Sequence, residues 1–479
     1  MYQSREFGKL EKPEKKYCIP VLEKFLNFGN HSMLIKGETG TGKLTLCFEF
    51  ANLVQDKHEI YFITKSQNND RIYRRASWIK SFLPATNIID INSKGGASVD
   101  EDFEVYETLN AISTMSSMIN DPFISENIKK PFIILDSWNK IVEHIDEKKK
   151  TRVEKTILSM IEKNDGFIIF LSEGKSISSI EDTVDGVIDL IHEGFELYTK
   201  RKMIFEKLNG MAAIPPTVPF TLHEGRFRTF SKLKNEKILN PNYFIPIPNT
   251  DERYSTGNND WDSKLEGGFK KGSVIGFEID ESVDRFVFVP LFAPMVLNFL
   301  SHNNPVIVAA PADQNIKALT SYIRPYIEKE TFIEKFRIVG PDFHNKSDPT
   351  IEQNYSNADS IQKKMMEHYS SFKQKNEPVL FEMDCSLIEL AYQKKIESIQ
   401  NDIVTTSRQI RNNNDLLILS TRPGYKSTDI IKSVSDLYFH ISNYEGVIVL
   451  STEKPQMFLA NIQSNYERGY PCMDLLESS

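Results

Sequence analysis

The sequence predicts an α/β protein of two similar domains. Each is expected to hold a mostly parallel sheet flanked by helices, with a C-terminal β-hairpin. Three observations predict it. Short, β-rich apolar runs recur without alternation, as strands covered on both faces do, and helix-length stretches separate them. The runs of the first half return in the second half in the same order. Finally, 479 residues exceed what one core organises and suit two domains.

Taken in order, the first-half strands are "SMLIK", "EIYFIT", "NIIDI", "PFIILD", "GFIIFLS" and "DGVIDLI". The second-half strands are "SVIGFEI", "PVIVAAP", "FRIVG", "PVLFEMD", "DLLILST" and "DLYFHIS". Three longer pairs carry the duplication: "FIILDSW" with "VLFEMDC", "FIIFLSEG" with "LLILSTRPG", and "DGVIDLIHEG" with "SDLYFHISNYEG". Between the halves, "SKLKNEKILNPNYFIPIPNTDE" is rich in Lys, Asn and Pro and lacks periodicity, the composition of a linker. The expected domains are therefore 1–230 and 253–479, joined by a linker at 231–252.

A hydrophobic share of 40% with 26% charged residues belongs to a globular chain rather than a disordered one. The net charge of −8 excludes a whole-chain basic field for nucleic acid. Cys18, Cys47, Cys385 and Cys472 are scattered without zinc spacing and read as free thiols in a reducing cytoplasm. The charged amino terminus, lacking an apolar core, reads as no signal peptide. "FVFVPLFAPMVLNFL" is nearly uncharged, but it is shorter than the ~20 residues of a bilayer span and carries Pro290 and Pro294. It is expected to be a buried helix, with no membrane contact.

The chemistry concentrates in "LIKGETGTGKLTLC". Gly, four residues, Gly-Lys and then a hydroxyl residue is the phosphate-binding loop pattern. Gly37, Gly42 and Lys43 obey it, whereas Leu44 stands where Ser or Thr would hold magnesium. The context is right: a strand precedes the loop and an apolar helix follows it. Glycines at 37, 40 and 42 let the backbone approach phosphate. The loop (Gly37, Glu38, Thr39, Gly40, Thr41, Gly42, Lys43, Leu44, Thr45) is the expected nucleotide site. Its amides would point at the phosphate oxygens of ATP or ADP, and Lys43 would bridge the β- and γ-phosphates of ATP. Thr45, one residue late, is better placed for the α-phosphate. Asp136 ends the apolar run "PFIILD", where a carboxylate would orient Mg through water. Ser137, Ser172 and Glu173 share that sheet edge as candidate γ-phosphate sensors.

"HSMLIKGETGTGKLTL", "FIILDSW" and "FEKLNGM…PFTLHEGRFRTF" together resemble the RecA superfamily, its KaiC branch in particular. "STGNNDWDSKLEGGFKKGSVIGFE" is similar to the opening of a KaiC-type domain. "YFITKSQNNDRIYRRASWI", "GFELYTKRKMIFEKLNG" and "ANIQSNYERGYP" bring the chain nearest to the archaeal gas-vesicle regulatory GvpD family and its P-loop relatives. The resemblance implies tandem RecA-like domains, ATP at the sheet edge and ring or dimer assembly. It also locates three departures. Active KaiC-type domains keep glutamates at the end of the second strand, where this chain has Lys65 and Ser66. They send a Lys-x-Arg pair across a subunit interface, where Lys207 matches as a candidate trans contact but Asn209 replaces the arginine. Such an arginine is worth ~10³-fold or more in turnover. Leu44 is the third departure, because a hard cation wants oxygen ligands.

Domain two lacks a loop altogether. After "SVIGF" comes "EIDESVDRFVF", where Glu278, Asp280, Glu281 and Asp284 oppose a phosphate. Asp384 reads there as a remnant. The segment 71–80, "RIYRRASWIK", interleaves Arg71, Arg74, Arg75 and Lys80 with Tyr73 and Trp78, a pattern that can bind nucleic acid. In an acidic chain the favoured reading is a solvated helix face anchored by Trp78 and Ile79. "EHIDEKKKTRVEK" reads as an exposed helix of mixed charge.

The expected function is a cytoplasmic, ATP-binding regulator whose nucleotide state controls a protein partner, a transcription factor among the candidates. Hydrolysis is expected to be slow or absent. The alternative is an active RecA/KaiC-type ATPase acting on DNA or driving assembly. Steady-state turnover separates the two: it is expected to stay below about 1 s⁻¹ with or without DNA, and a faster rate would favour the motor.

Overall fold

The computed structural model describes residues 20–65, 69–91, 103–119, 129–174, 180–195, 198–211, 216–230, 238, 240–284, 287–309, 319–340, 351–352, 358–392, 396–454, 459–465 and 467–477. It divides into two compact units at the junction of Thr229 and Phe230.

The first unit contains α1 (Pro20–Asn27), β1 (Ser32–Gly37), α2 (Lys43–Val54), β2 (His58–Thr64), α3 (Asn69–Arg75), β3 (Ile88–Asp90) and α4 (Phe103–Ile119). There follow β4 (Lys130–Asp136), α5 (Trp138–Ile141), α6 (Glu147–Lys163), β5 (Phe167–Glu173), α7 (Ile180–Thr183), β6 (Gly186–Phe195), β7 (Tyr198–Leu208), β8 (Thr217–Thr221) and β9 (Arg228–Thr229). One sheet runs β3-β2-β4-β5-β1-β6-β7-β8-β9. Its strands pair in parallel from β3 to β6 and antiparallel from β6 onward.

The strands lack alternation because helices cover both faces. Met33 and Ile35 of β1 and Phe132 and Ile134 of β4 join one core with Leu46, Phe50 and Ala51 of α2. Leu34, Ile133 and Leu135 face the other way, into a core with α4, α5 and α6. Beneath α2, Phe132 and Phe167 stack at 5.4 Å, and Phe50 meets both edge-on. Fully burying each such ring is worth roughly 1.5–3 kcal/mol, so the helix bearing the glycine loop is firmly seated. The charged segment 143–155, most of which forms the first half of α6, differs from a wholly exposed helix. Asp146 caps it, accepting from the amides of Lys148 and Lys149, and Val153 and Glu154 are already buried.

The second unit begins with 240–252, which forms no helix or strand but lies along its own domain. Asn242 donates to Gly469 O, Phe244 to Tyr326 O and Ile247 to the Asn298 side chain. Then come β10 (Arg253–Tyr254), α8 (Asn259–Lys264), β11 (Phe269–Lys270), β12 (Val274–Ile279), α9 (Phe288–Ser301), β13 (Val306–Ala309), α10 (Lys329–Lys335), β14 (Phe336–Val339) and β15 (Ile351–Glu352). The remainder is α11 (Ala358–Lys373), β16 (Leu380–Asp384), α12 (Cys385–Tyr392), α13 (Ile396–Asn412), β17 (Leu416–Thr421), α14 (Ser427–Val434), β18 (Leu437–Tyr444), β19 (Val447–Lys454), β20 (Leu459–Asn465) and β21 (Cys472–Glu477).

Its sheet runs β15-β14-β13-β16-β17-β12-β18-β19-β20-β21. With β12 set against β1 and β15 added at the edge, this repeats the first order strand for strand. The fold class expected from the sequence is therefore present: two α/β units, mostly parallel, each ending in antiparallel strands. Of the apolar stretch, 288–300 fall in α9, whose Phe292, Val296, Leu297 and Leu300 are buried. Among the described residues, no helix is long and apolar enough to cross a membrane.

The Ser-Thr-Gly turn before α8 folds around a buried carboxylate. Asp262 accepts from the Ser255 hydroxyl at 2.5 Å, the Thr256 amide at 2.8 Å and the Thr256 hydroxyl at 2.7 Å. This packs the turn so tightly on α9 that a Cβ on Gly257, whose φ is +74°, would lie 2.2 Å from Pro294 O. Gly257→Ala is expected to lower stability by about 2 kcal/mol or more, from strain plus overpacking. An unchanged urea midpoint would contradict it.

Candidate functional site

The loop after β1 is shaped by its glycines. Gly37, Gly40 and Gly42 have φ of 148°, 85° and 99°. The first has no room for a side chain, since a Cβ would lie 2.4 Å from Leu190 O. Gly42, in left-handed backbone, starts α2 with no side-chain cap and no acidic residue in its first turn. The first amides of α2 are thus left for an anion, and the helix dipole favours one there. Glu38, Thr39 and Gly40 are exposed, whereas Thr41 is buried and its hydroxyl donates to Glu38 O at 2.9 Å.

Lys43 folds its ammonium back over the loop, donating to Gly37 O at 2.6 Å and Glu38 O at 2.8 Å. Burial lowers its pKa, opposed by the fields of Glu173 and Asp136. Leu44 packs against the apolar core, so no oxygen comes from that position; Thr45 is half-buried.

Strand order brings the remaining groups together. β5 lies between β1 and β4, and Glu173 stands opposite Gly37 in the register. Asp136, at the end of β4, is 8% exposed and accepts from the Ser137 hydroxyl at 2.9 Å. Burial raises its pKa above the ordinary carboxylate value; the Ser137 bond, Lys140 and Lys43 oppose that, and Glu173 adds to it. Ser137 and Ser172 are both buried at this edge.

Some predicted residues fall elsewhere. Lys207 donates to Asp182 O of its own chain at 3.1 Å. Ser66 lies outside the described residues. Lys65 forms an ion pair with Glu104 at 2.7 Å and donates to Lys140 O at 3.2 Å. In the segment 71–80, Arg71, Arg74, Arg75 and Lys80 are exposed, and Ile72 and Ile79 are buried. Its aromatics are engaged internally: Arg226 covers the Trp78 ring at 4.1 Å, Lys80 lies over Tyr73, and the Tyr73 hydroxyl donates to Leu83 O. This is the solvated, anchored face rather than a stacking platform.

The structure adds residues that the sequence reading missed. Lys140 pairs with Glu173 at 3.1 Å, and the Asn139 side chain accepts from the Glu173 amide. Glu49, buried on α2, holds Arg226 through two bonds of 2.5 and 2.9 Å. Only the Asp-Ser-Trp-Asn-Lys spacing could have flagged Lys140; the Glu49–Arg226 pair leaves no local signal.

In the second unit the equivalent loop is filled from within. Arg422, after β17, donates to the carbonyls of Asp280 at 3.3 Å and Val283 at 3.0 Å. The acidic stretch is not bare: Glu278 accepts from the Tyr438 hydroxyl, and Asp280 meets His440. Asp384 accepts from the Ser386 hydroxyl at 2.7 Å.

Residues 22–206 match the family model described as "GvpD gas vesicle protein, P-loop domain". That stretch of the first unit is similar to the P-loop domain of GvpD gas vesicle proteins. The likeness continues beyond it. The chain is 22% identical to Protein GvpD2 of Halobacterium salinarum over 476 residues, 93% of each chain. It is 23% identical to Protein GvpD1 of the same organism over 320 residues, 64% of this chain and 59% of that one. The loop here has glycines at 37, 40 and 42, Lys43 after them and a leucine at position 44. Among the described residues, no group of three or more His, Cys, Asp or Glu side chains could hold a metal.

Asp136 should cost stability in return for its position. Below the ordinary carboxylate range it is protonated in both folded and unfolded chains. As pH rises through that range, the unfolded chain ionises first and the folded state loses stability. Asp136→Asn is expected to melt higher than the native protein at pH 7, with the gain shrinking towards pH 4. A gain independent of pH would sink this account.

Proposed function

We propose that the chain is a nucleotide-responsive regulator. ATP or ADP occupies the loop of the first unit, hydrolysis is slow or absent, and nucleotide state biases a surface that binds a protein partner. The loop itself carries the reading: Gly42 opens an uncapped helix N-terminus, Lys43 stands beside it, and Leu44 is turned into the core. Backbone amides from Gly40 to Thr45 and the Lys43 ammonium would hold the phosphates. Asp136 would orient Mg through water, and the bound ion would neutralise phosphate charge. Lys65, paired with Glu104, supports weak turnover, because a lysine at that place does not activate water as a carboxylate would. Arg422 in the second unit supports a single nucleotide site, that unit serving as scaffold or partner surface. The domain limits in this reading are 1–230 and 253–479, in a cytoplasmic protein. By likeness to the family model described as a gas vesicle protein, the regulated process is gas-vesicle formation, with a transcription factor a fitting partner.

A fluorescent ATP analogue is expected to bind the purified chain, with Lys43→Ala weakening it about tenfold or more through loss of a charge-assisted phosphate contact. If the native chain and the variant bind equally, the loop is not the site.

A further inference from the structure

Glu173 pairs with one ammonium group and acts through space on a second, that of Lys43. In the β1–β5 register it stands opposite Gly37, whose carbonyl accepts from Lys43 at 2.6 Å. Gly174 N closes that junction by donating to Gly37 O at 3.2 Å. On its other side the carboxylate meets Lys140 Nζ at 3.1 Å. Asp136 and Ser137 immediately precede α5, the helix that carries Lys140.

That helix is well anchored. Trp138 is buried and donates through Nε1 to the buried Glu154 at 3.0 Å. Ile141 is buried as well, and the Lys140 amide donates to Ser137 O. The Lys65 ammonium, with Glu104 as counterion, donates to the Lys140 carbonyl and fixes the helix from the β2 side. By contrast the Lys140–Glu173 pair is open, its side chains 41% and 34% exposed. An ion pair so exposed contributes little and exchanges readily with a stronger anion. A carboxylate paired with Lys140 on a fixed scaffold, near enough to the loop lysine to act on its charge and at the edge with Asp136, carries a negative charge that a terminal phosphate would replace.

We infer that Lys140 is a terminal-phosphate ligand and Glu173 its stand-in: the Lys140–Glu173 pair persists with a nucleoside diphosphate and opens for a triphosphate. This rests on the nucleotide reading above and deepens it. The chain then distinguishes ATP from ADP without cleaving either. The difference reaches α5 and the end of β5, because Asn139 and Lys140 both hold Glu173. The lysine is displaced four residues from Asp136, so no phosphate-loop pattern points to it.

The test measures affinities of the full chain for a non-hydrolysable ATP analogue and for ADP by calorimetry, in the native protein, Lys140→Ala, Lys140→Arg and Glu173→Gln. Lys140→Ala is expected to weaken the triphosphate about tenfold or more while ADP changes less than about twofold. Lys140→Arg should retain the preference, and Glu173→Gln should tighten the triphosphate by removing its competitor. Unchanged ADP affinity doubles as the folding control; if Lys140→Ala loses it, Lys140→Arg and Glu173→Gln decide. An unaltered ATP-to-ADP ratio in Lys140→Ala and Glu173→Gln overturns the inference but leaves the nucleotide reading standing. A native chain that binds neither nucleotide overturns both.

Discussion

The first unit turns on a lysine folded back over its own turn. Lys43 is buried enough for its charge to be costly, and two backbone carbonyls with two nearby carboxylates satisfy it. The positive φ of Gly37 and Gly42 permits that turn, and the ring cluster beneath α2 holds the helix that continues it. Strand order then sets which carboxylates approach. With β5 between β1 and β4, Glu173 is brought opposite the loop and Asp136 stands one strand beyond.

The two units show what happens to this arrangement when the loop is lost. The strand order persists, and so does an Asp with a neighbouring serine at the end of the fourth main strand. The space over the loop does not stay open. Arg422 donates to the carbonyls of Asp280 and Val283, the former also accepting from the Val283 amide. A loop without glycines is bound by an arginine, whereas the glycine loop leads into a helix start with no side-chain cap.

Much of the fold was legible along the chain because both sheet faces are covered. "PFIILD" and "GFIIFLS" had to be β4 and β5, as no exposed face could carry such runs. The duplication was legible for the same reason. The charged run that opens α6 was less so: only tertiary packing buries Glu154 against Trp138. Likewise, 240–252 has the composition of a linker, yet its backbone is tied to its own domain by partners distant in sequence.

The sequence by itself determined the phosphate-loop pattern, the lysine at its end, the leucine in the metal position and the carboxylate of Asp136, because each depends on local spacing. Only the tertiary structure decided where charges meet. Lys140 faces Glu173 across adjacent elements, Lys65 finds Glu104, and Glu49 holds Arg226 from 177 residues away. Such pairings depend on strand order and side-chain reach, for which the linear spacing of residues carries no record.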